Sequence, residues 1–288
     1  MGAAAALPTV GAELARAVAR LAAAGVPEPR ADAEVLLAHT LGTSRAGVVA
    51  GRRDQLSAPE VEAFEVLIAR RAGREPVQYI VGEREFWSLA LAVDPRVLIP
   101  RPETELVVET VLRLDGGRGR IVDVGTGSGA IALALARECP AAEVWATDID
   151  PGALAVARAN LARHAPRVGL VCGDLVAAFR RGSVDVVASN PPYVAEGDHA
   201  GLLPEVRDHE PARALLAGPD GLAVLHRLVA VAPEVLVPGG WLIVEMGAGQ
   251  ATAVRSAVVR DGRYAEVRTV EDHASIERVL VARRGGSN

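Results

Sequence analysis

Two groups of residues in this chain have types and spacings that could do chemistry. The first is Asn190-Pro191-Pro192-Tyr193, directly after the apolar run Val184 to Ser189. Asn-Pro is a turn signal and a double proline cannot continue a sheet ladder, so the run ends in a stiff corner. There the Asn190 side-chain oxygen and the Pro191 carbonyl can together accept both hydrogens of an –NH2 group. Pro191 and Pro192 would fix those acceptors, and Tyr193 would close the pocket by lying against a planar substrate. The second group is the turn Gly125-Thr126-Gly127-Ser128-Gly129 within IVDVGTGSGAIALALA, a buried strand, turn and helix in succession. Glycines let the main chain approach a ligand in conformations closed to residues with a Cβ, and the helix start offers unpaired N–H groups. Asp148 lies 23 residues after Gly125, at the end of the next strand, where an acid can accept from both ribose hydroxyls. Asp174, in Cys172-Gly173-Asp174-Leu175, is placed to meet an adenine amino group in the same crevice.

An –NH2 on a carbonyl or aromatic ring is a poor nucleophile because its lone pair is delocalised; the peptide rotation barrier of about 18–20 kcal/mol measures how costly losing that resonance is. Neutral hydrogen bonds worth about 0.5–1.5 kcal/mol each cannot offset this in the ground state. The two acceptors therefore matter most as the nitrogen becomes cationic, when charge-assisted bonds are roughly twice as strong. Positioning against an activated donor can contribute a further ~7–11 kcal/mol. The donor that fits is a sulfonium methyl, which leaves without acid help. The glycine turn by itself also satisfies G-x-G-x-x-A through Gly125, Gly127 and Ala130, so it does not separate a dinucleotide from another adenosine ligand.

These residues need a scaffold. Apolar residues at helical spacing run through Val10 to Leu21 and Ala33 to Leu41, with Gly25 and Gly42 as stops. Ser57-Ala58-Pro59-Glu60 announces a third helix with a capping box, and Arg70-Arg71 read as part of a solvated face. Residues 1–75 thus form a small helical domain. Residues 76–100 carry strand-like residues around a turn and read as a hairpin linker, followed by LIPRPETE, whose Glu103 or Thr104 can open a helix. Residues 101–288 alternate strand and helix as a doubly wound α/β domain does. Strands are expected at Arg120 to Val124, Glu143 to Asp148, Val168 to Cys172, Val184 to Ser189 and Trp241 to Met246, and then at Ala265 to Val270 and Arg278 to Ala282. The short link between the last two makes a hairpin, so one late strand runs antiparallel in a mostly parallel sheet.

Composition narrows the classes. The chain has 288 residues, a formal net charge of -5 and 23% charged residues, which describes a folded protein rather than a broad basic surface for nucleic acid. All 31 basic residues are arginine, a bias from which no function follows. Cys139 and Cys172 match no metal-ligand spacing and are expected to be buried free thiols; the scattered histidines give no metal site. No secretory start, myristoylation signal or long apolar run is present, so the expected location is the cytoplasm. The chain is expected to act as a monomer.

The order LIPRPETE, DVGTGSGAIALA, NPPYV, EPARALLAGPDGL and GGWLIVEMG resembles the HemK/PrmC family of S-adenosylmethionine-dependent methyltransferases over nearly the whole chain. The resemblance implies a Rossmann-like methyltransferase domain preceded by a helical domain that engages class 1 peptide chain release factors. It implies transfer of a methyl group from S-adenosyl-L-methionine to the side-chain N5 of the glutamine in their GGQ motif. By position, the cofactor falls to Gly125 to Gly129, Asp148, Asp174, Asn190 and Leu175, the last being where the family often has an aromatic residue. The substrate amide falls to Asn190, Pro191, Pro192 and Tyr193, and Arg101 and Glu103 match the segment bordering the pocket. No general base is assigned, and Asp123, Glu210 and Glu245 read as buried strand-end support. The competing readings are an amino-methyltransferase acting on an exocyclic base amine of rRNA or DNA, a nicotinamide-dependent dehydrogenase, and a non-enzymatic adaptor. The first lacks a basic or aromatic recognition region, and the second lacks a catalytic histidine–carboxylate pair.

Overall fold

The computed structural model describes residues 7–115, 118–164 and 167–286. They form two compact units: residues up to Gly82 together with Leu203–His209, and the remainder from Glu83 onward.

In the helical unit, α1 (Val10–Ala23) starts at Thr9, whose hydroxyl accepts from the Ala12 N–H at 3.2 Å. It buries Leu14, Ala17 and Leu21, a single stripe at helical spacing. α2 (Pro29–Leu41) begins on a proline and stops at Gly42, whose φ of 60° is the left-handed conformation a glycine cap supplies. α3 (Arg45–Ala50) is short. α4 (Ala58–Ala72) carries the expected capping box, with the Ser57 N–H donating to Glu60 Oε2 at 2.7 Å. Leu36, Leu37, Phe64 and Ile68 close the core of this unit. Two expectations fail here. Val77–Val81, read as strand, is the helix α5, because Pro76 opens it and Gly82, at φ 76°, caps it. Arg71 is not solvated: it is 4% exposed and pairs with Asp32 and with Glu205, each at 2.7 Å.

The second unit opens with the hairpin β1 (Glu83–Phe86) and β2 (Leu89–Ala92), so the hairpin is shorter than residues 76–100 and belongs to this unit. A single turn of 3-10 helix at Pro102–Thr104 leads into α6 (Glu105–Asp115). Then come β3 (Arg120–Val124), α7 (Ala130–Glu138), β4 (Glu143–Asp148), α8 (Pro151–His164), β5 (Gly169–Cys172) and β6 (Val184–Ser189). After β6 the chain contributes α9 (Pro204–His209) to the helical unit and returns as α10 (Ala223–Val235), β7 (Leu236–Glu245), α11 (Ala251–Asp261), β8 (Tyr264–Glu271) and β9 (Glu277–Arg284). Among the described residues the main sheet has seven strands in the order β5-β4-β3-β6-β7-β9-β8. β9 runs antiparallel to both neighbours and the other pairings are parallel.

The sheet buries both faces. Ile121, Val186, Ile243 and Val281 pack with α6, α7 and α8 on one side, while Val122, Val187, Leu242 and Val244 pack with α10 and α11 on the other. That accounts for the continuous apolar runs of its strands. The order reverses between β3 and β6, and the loops after the strands of such a sheet open into one crevice there. Neither cysteine is in a disulfide, and only Cys139 is buried; Cys172 is exposed at the end of β5.

Candidate functional site

The crevice is a cavity of about 210 Å3 at the ends of β3, β4, β5 and β6, with walls that include Gly125 to Ser128, Asp148, Asp174, Leu175 and Asn190 to Pro192. The sequence motifs are therefore brought to one place. Gly125 and Gly127 adopt φ of 70° and 54°, and a Cβ at either would meet nothing within 4 Å, so both present bare main chain to open space. Gly129, at φ 87°, does not line the cavity; it turns the chain into α7 beside Ala157.

The amides of this loop are mostly spoken for. Gly125 and Thr126 donate to the Thr147 carbonyl at 2.8 and 2.9 Å, Gly127 donates to Asp148 Oδ2 at 3.0 Å, and Gly129 donates to Thr126 at 2.8 Å. A loop with its N–H groups committed in this way is a poor cradle for a pyrophosphate, which needs them free. It suits a ligand that comes close to the chain without carrying phosphate. Below it, the buried Asp123 Oδ2 accepts from the Thr126 hydroxyl at 2.6 Å and the Ala132 N–H at 3.1 Å. Burial pushes Asp123 up to about 7, against those two bonds, with the Asp148 charge adding to the rise. Strand-end support is thus the role its geometry describes.

Asp148 is half-buried, accepting from the Gly127 and Asp150 amides at 3.0 and 2.9 Å. Burial raises its pKa, the Asp150 and Gly127 bonds oppose the rise, and the Asp150 charge adds to it. Each oxygen of a carboxylate holds two lone pairs, so Asp148 keeps acceptor capacity toward the cleft. Asp174 is exposed and paired with Arg227, so an adenine amino group would have to share it or displace that arginine. Leu175 lines the wall at a positive φ of 51°. The sequence reading missed Ile149, 62% exposed on the same wall, which offers the flat apolar contact a purine needs. Its signal was available: an apolar residue next to Asp148 at a strand end.

At the other side of the cleft, Asn190 Nδ2 donates to Thr104 Oγ1 at 2.9 Å, and no donor among the described residues bonds its Oδ1. Pro191 and Pro192 line the cavity as expected. Three other residues are placed differently. Tyr193 is turned away from the cavity into the core beside Gly247, and its hydroxyl donates to Glu245 Oε1 at 3.2 Å. Burial and the neighbouring Glu245 raise its pKa. Arg101 pairs with the buried Glu210, which also accepts from the Ile99 N–H at 3.2 Å, and Glu103 is exposed; the walls of this segment are instead Pro100 and Thr104. Through Glu210, Arg101 is tied to the main chain at Ile99, and it is not among the residues that line the cavity. No cluster of metal-ligating side chains occurs among the described residues.

Residues 13–82 match a family model described as PrmC N-terminal domain, and residues 102–205 match one described as methyltransferase small domain. A release factor glutamine methyltransferase of Geobacter sulfurreducens is 43% identical over 265 residues, 92% of this chain and 93% of that protein. One from Moorella thermoacetica is 44% identical over 275 residues, 94% of this chain and 97% of that protein. A crystal structure of a methyltransferase from Pyrococcus furiosus aligns with a TM-score of 0.53 and 21% identity over 69% of this chain and 90% of that one, a likeness of fold. With relatives of such identity along almost their full length, the chain belongs to the release factor glutamine methyltransferase family.

Proposed function

We propose that this protein transfers a methyl group from S-adenosyl-L-methionine to the N5 amide nitrogen of the glutamine in the GGQ motif of class 1 peptide chain release factors. The observation that carries the reading is Asn190: its NH2 end is tied to Thr104 while its oxygen is left for a ligand in the cleft that the glycine turn also lines. When bound, the cofactor supplies a methyl on a sulfonium, which departs as a neutral thioether. The open faces of Gly125 and Gly127 and the remaining acceptor capacity of Asp148 fit its nucleoside, with Ile149 and Leu175 as apolar walls.

Asn190 Oδ1 and the Pro191 carbonyl orient the substrate –NH2 by taking one hydrogen each. Both bonds strengthen as that nitrogen gains positive charge, which is transition-state rather than ground-state stabilisation. The nitrogen then sheds a proton to water, so no side chain is required as a base. The helical unit is the part we assign to gripping the release factor.

The test is incubation with methyl-labelled S-adenosylmethionine and, separately, a release factor, its Gln→Ala variant at the GGQ motif, rRNA and DNA. Label is expected in the release factor alone, and not in the variant. Label in rRNA or DNA with none in the release factor would overturn the substrate.

A further inference from the structure

The GPDGL end of one sequence motif and the segment GGWLIVEMG line no part of the cavity, yet both reach the corner that does. Asn190 to Tyr193 is fixed at its entrance by β6, where Ser189 pairs with Val124 and Val244 and its hydroxyl donates to the Val124 carbonyl at 2.6 Å. Beyond that, prolines set φ but leave ψ free, and Pro191 and Pro192 have no N–H to donate. Where the Pro191 carbonyl points therefore depends on what holds the exit, Tyr193. Gln250, the residue before α11, holds it: Nε2 donates to the Tyr193 carbonyl at 2.9 Å and to the Gly221 carbonyl at 3.4 Å, while Oε1 accepts from the Gly247 N–H at 2.8 Å. Carbonyls only accept and a main-chain N–H only donates, so these partners decide which end of the carboxamide is which. Two glycines leave the room this needs. A Cβ at Gly221, φ 72°, would stand 2.4 Å from the Tyr193 carbonyl oxygen and 3.0 Å from Gln250 Nε2. One at Gly247 would stand 3.0 Å from Gln250 Oε1 and 3.2 Å from Tyr193 Cδ2.

We propose that Gln250 is a positioning residue for the methyl transfer: it ties the exit of the corner to the loop after β7 and to the turn at Gly221, and so fixes where the Asn190 and Pro191 acceptors stand. This rests on the function proposed above, in which those acceptors take the two hydrogens of the substrate –NH2. Gln250 is not among the residues that line the cavity, so it acts through the corner and not on the substrate. Acceptors fixed in advance are worth most as charge develops, because nothing has to reorganise at that moment. A misplacement of about 1 Å caused far from the chemistry can cost about 10²-fold in rate. The cofactor side is held separately, with Gly125 and Thr126 bonded to the Thr147 carbonyl and Gly127 to Asp148. Loss of the Gln250 tie therefore separates turnover from cofactor binding.

Three variants test it. Gln250→Glu keeps the shape and the acceptor for Gly247 but sets an ionised oxygen against the two carbonyls. Gly221→Ala presses on the Tyr193 carbonyl from the neighbouring turn. Gly182→Ala is the control: its φ of 60° is equally unfavourable to a Cβ, but nothing lies within 4 Å of one, so it strains the chain without reaching the corner. Each is to be assayed with S-adenosylmethionine and a release factor at about pH 8, where a glutamate is ionised, alongside cofactor titration and urea unfolding. Gln250→Glu and Gly221→Ala are expected to lower kcat about 10- to 100-fold with cofactor affinity within about twofold, while Gly182→Ala keeps the wild-type kcat whatever its unfolding midpoint. A Gln250→Glu enzyme that retains kcat and loses only stability or cofactor affinity, or one that does not fold, would overturn the inference. So would a Gly182→Ala enzyme slowed as much as Gly221→Ala, since backbone strain alone would then explain the loss. Should Gly221→Ala not fold, Gln250→Glu decides by itself. Failure of the wild type to methylate a release factor would instead sink the functional reading on which this one stands.

Discussion

Asn190 is asked to act through a single oxygen, and that makes its removal informative. Asn190→Ala should leave cofactor affinity within about twofold of wild type while lowering turnover by about 10²–10³-fold, since the lost acceptor matters only as charge develops. Equilibrium binding and initial rates on one preparation would check this; survival of most turnover contradicts the two-acceptor account. Asp148→Ala should do the reverse and weaken cofactor binding by about 10- to 100-fold, read by isothermal titration, because hydrogen bonds to charged groups are worth about 1.5–3 kcal/mol. Residues of this kind were legible in the sequence where the backbone limits the choice. Only glycine enters the turn at Gly125 and Gly127 without strain, and only a proline-stiffened corner holds Asn190 where it is. Thr104 was legible only as a helix opener, because its bond to Asn190 spans 86 residues of sequence. The same holds for Tyr193, whose hydroxyl bond to Glu245 spans 52 residues of sequence.

At the scale of elements, β3, β4 and β6 lie where the sequence places them, since buried parallel strands between glycine turns and helices leave few other readings. The helix α5 was misread because Val77-Gln78-Tyr79-Ile80-Val81 has strand-forming residues, and its proline start and glycine stop outweigh them. Neither propensity nor motif points to Asn160 on α8, yet it fastens three elements. It is 1% exposed, and its Oδ1 accepts from the Ala92 N–H while its Nδ2 donates to the carbonyls of Ala92 and Ser128 at 2.9 Å each. The hairpin and the glycine turn are thereby hung on one helix. Asn160→Ala should cost about 2–4 kcal/mol in urea unfolding, because buried main-chain groups on both would be left unpaired. A loss under about 0.5 kcal/mol, the range of an ordinary surface change, would show that water replaces the amide.

For the whole molecule, what the sequence could not show is that residues 203–209 belong with the first 82. Glu205 is the reason. It accepts from Arg71 Nη2 at 2.7 Å and from Arg74 Nε and Nη2 at 2.9 and 2.6 Å. Burial works to raise its pKa, but the Arg74 and Arg71 bonds prevail and bring it down to about 2. A carboxyl with a lowered folded pKa contributes stability that is complete above its ordinary value near 4.5 and is lost as pH falls through about 2. The unfolding free energy of Glu205→Gln should therefore trail the wild type by a constant amount above about pH 4.5 and approach it as the solution is acidified. A gap that does not narrow would mean the ion pairs contribute no net stability.

That borrowed segment sets a timetable for synthesis. The ribosome finishes the N-terminal helices long before it reaches residue 205, and until then Arg74 lacks its carboxylate partner and Arg71 has Asp32 alone. The first part of the polypeptide to emerge is thus the part that must wait, and a nascent-chain series arrested on either side of residue 209 should acquire protease resistance in its first 82 residues only at the longer lengths.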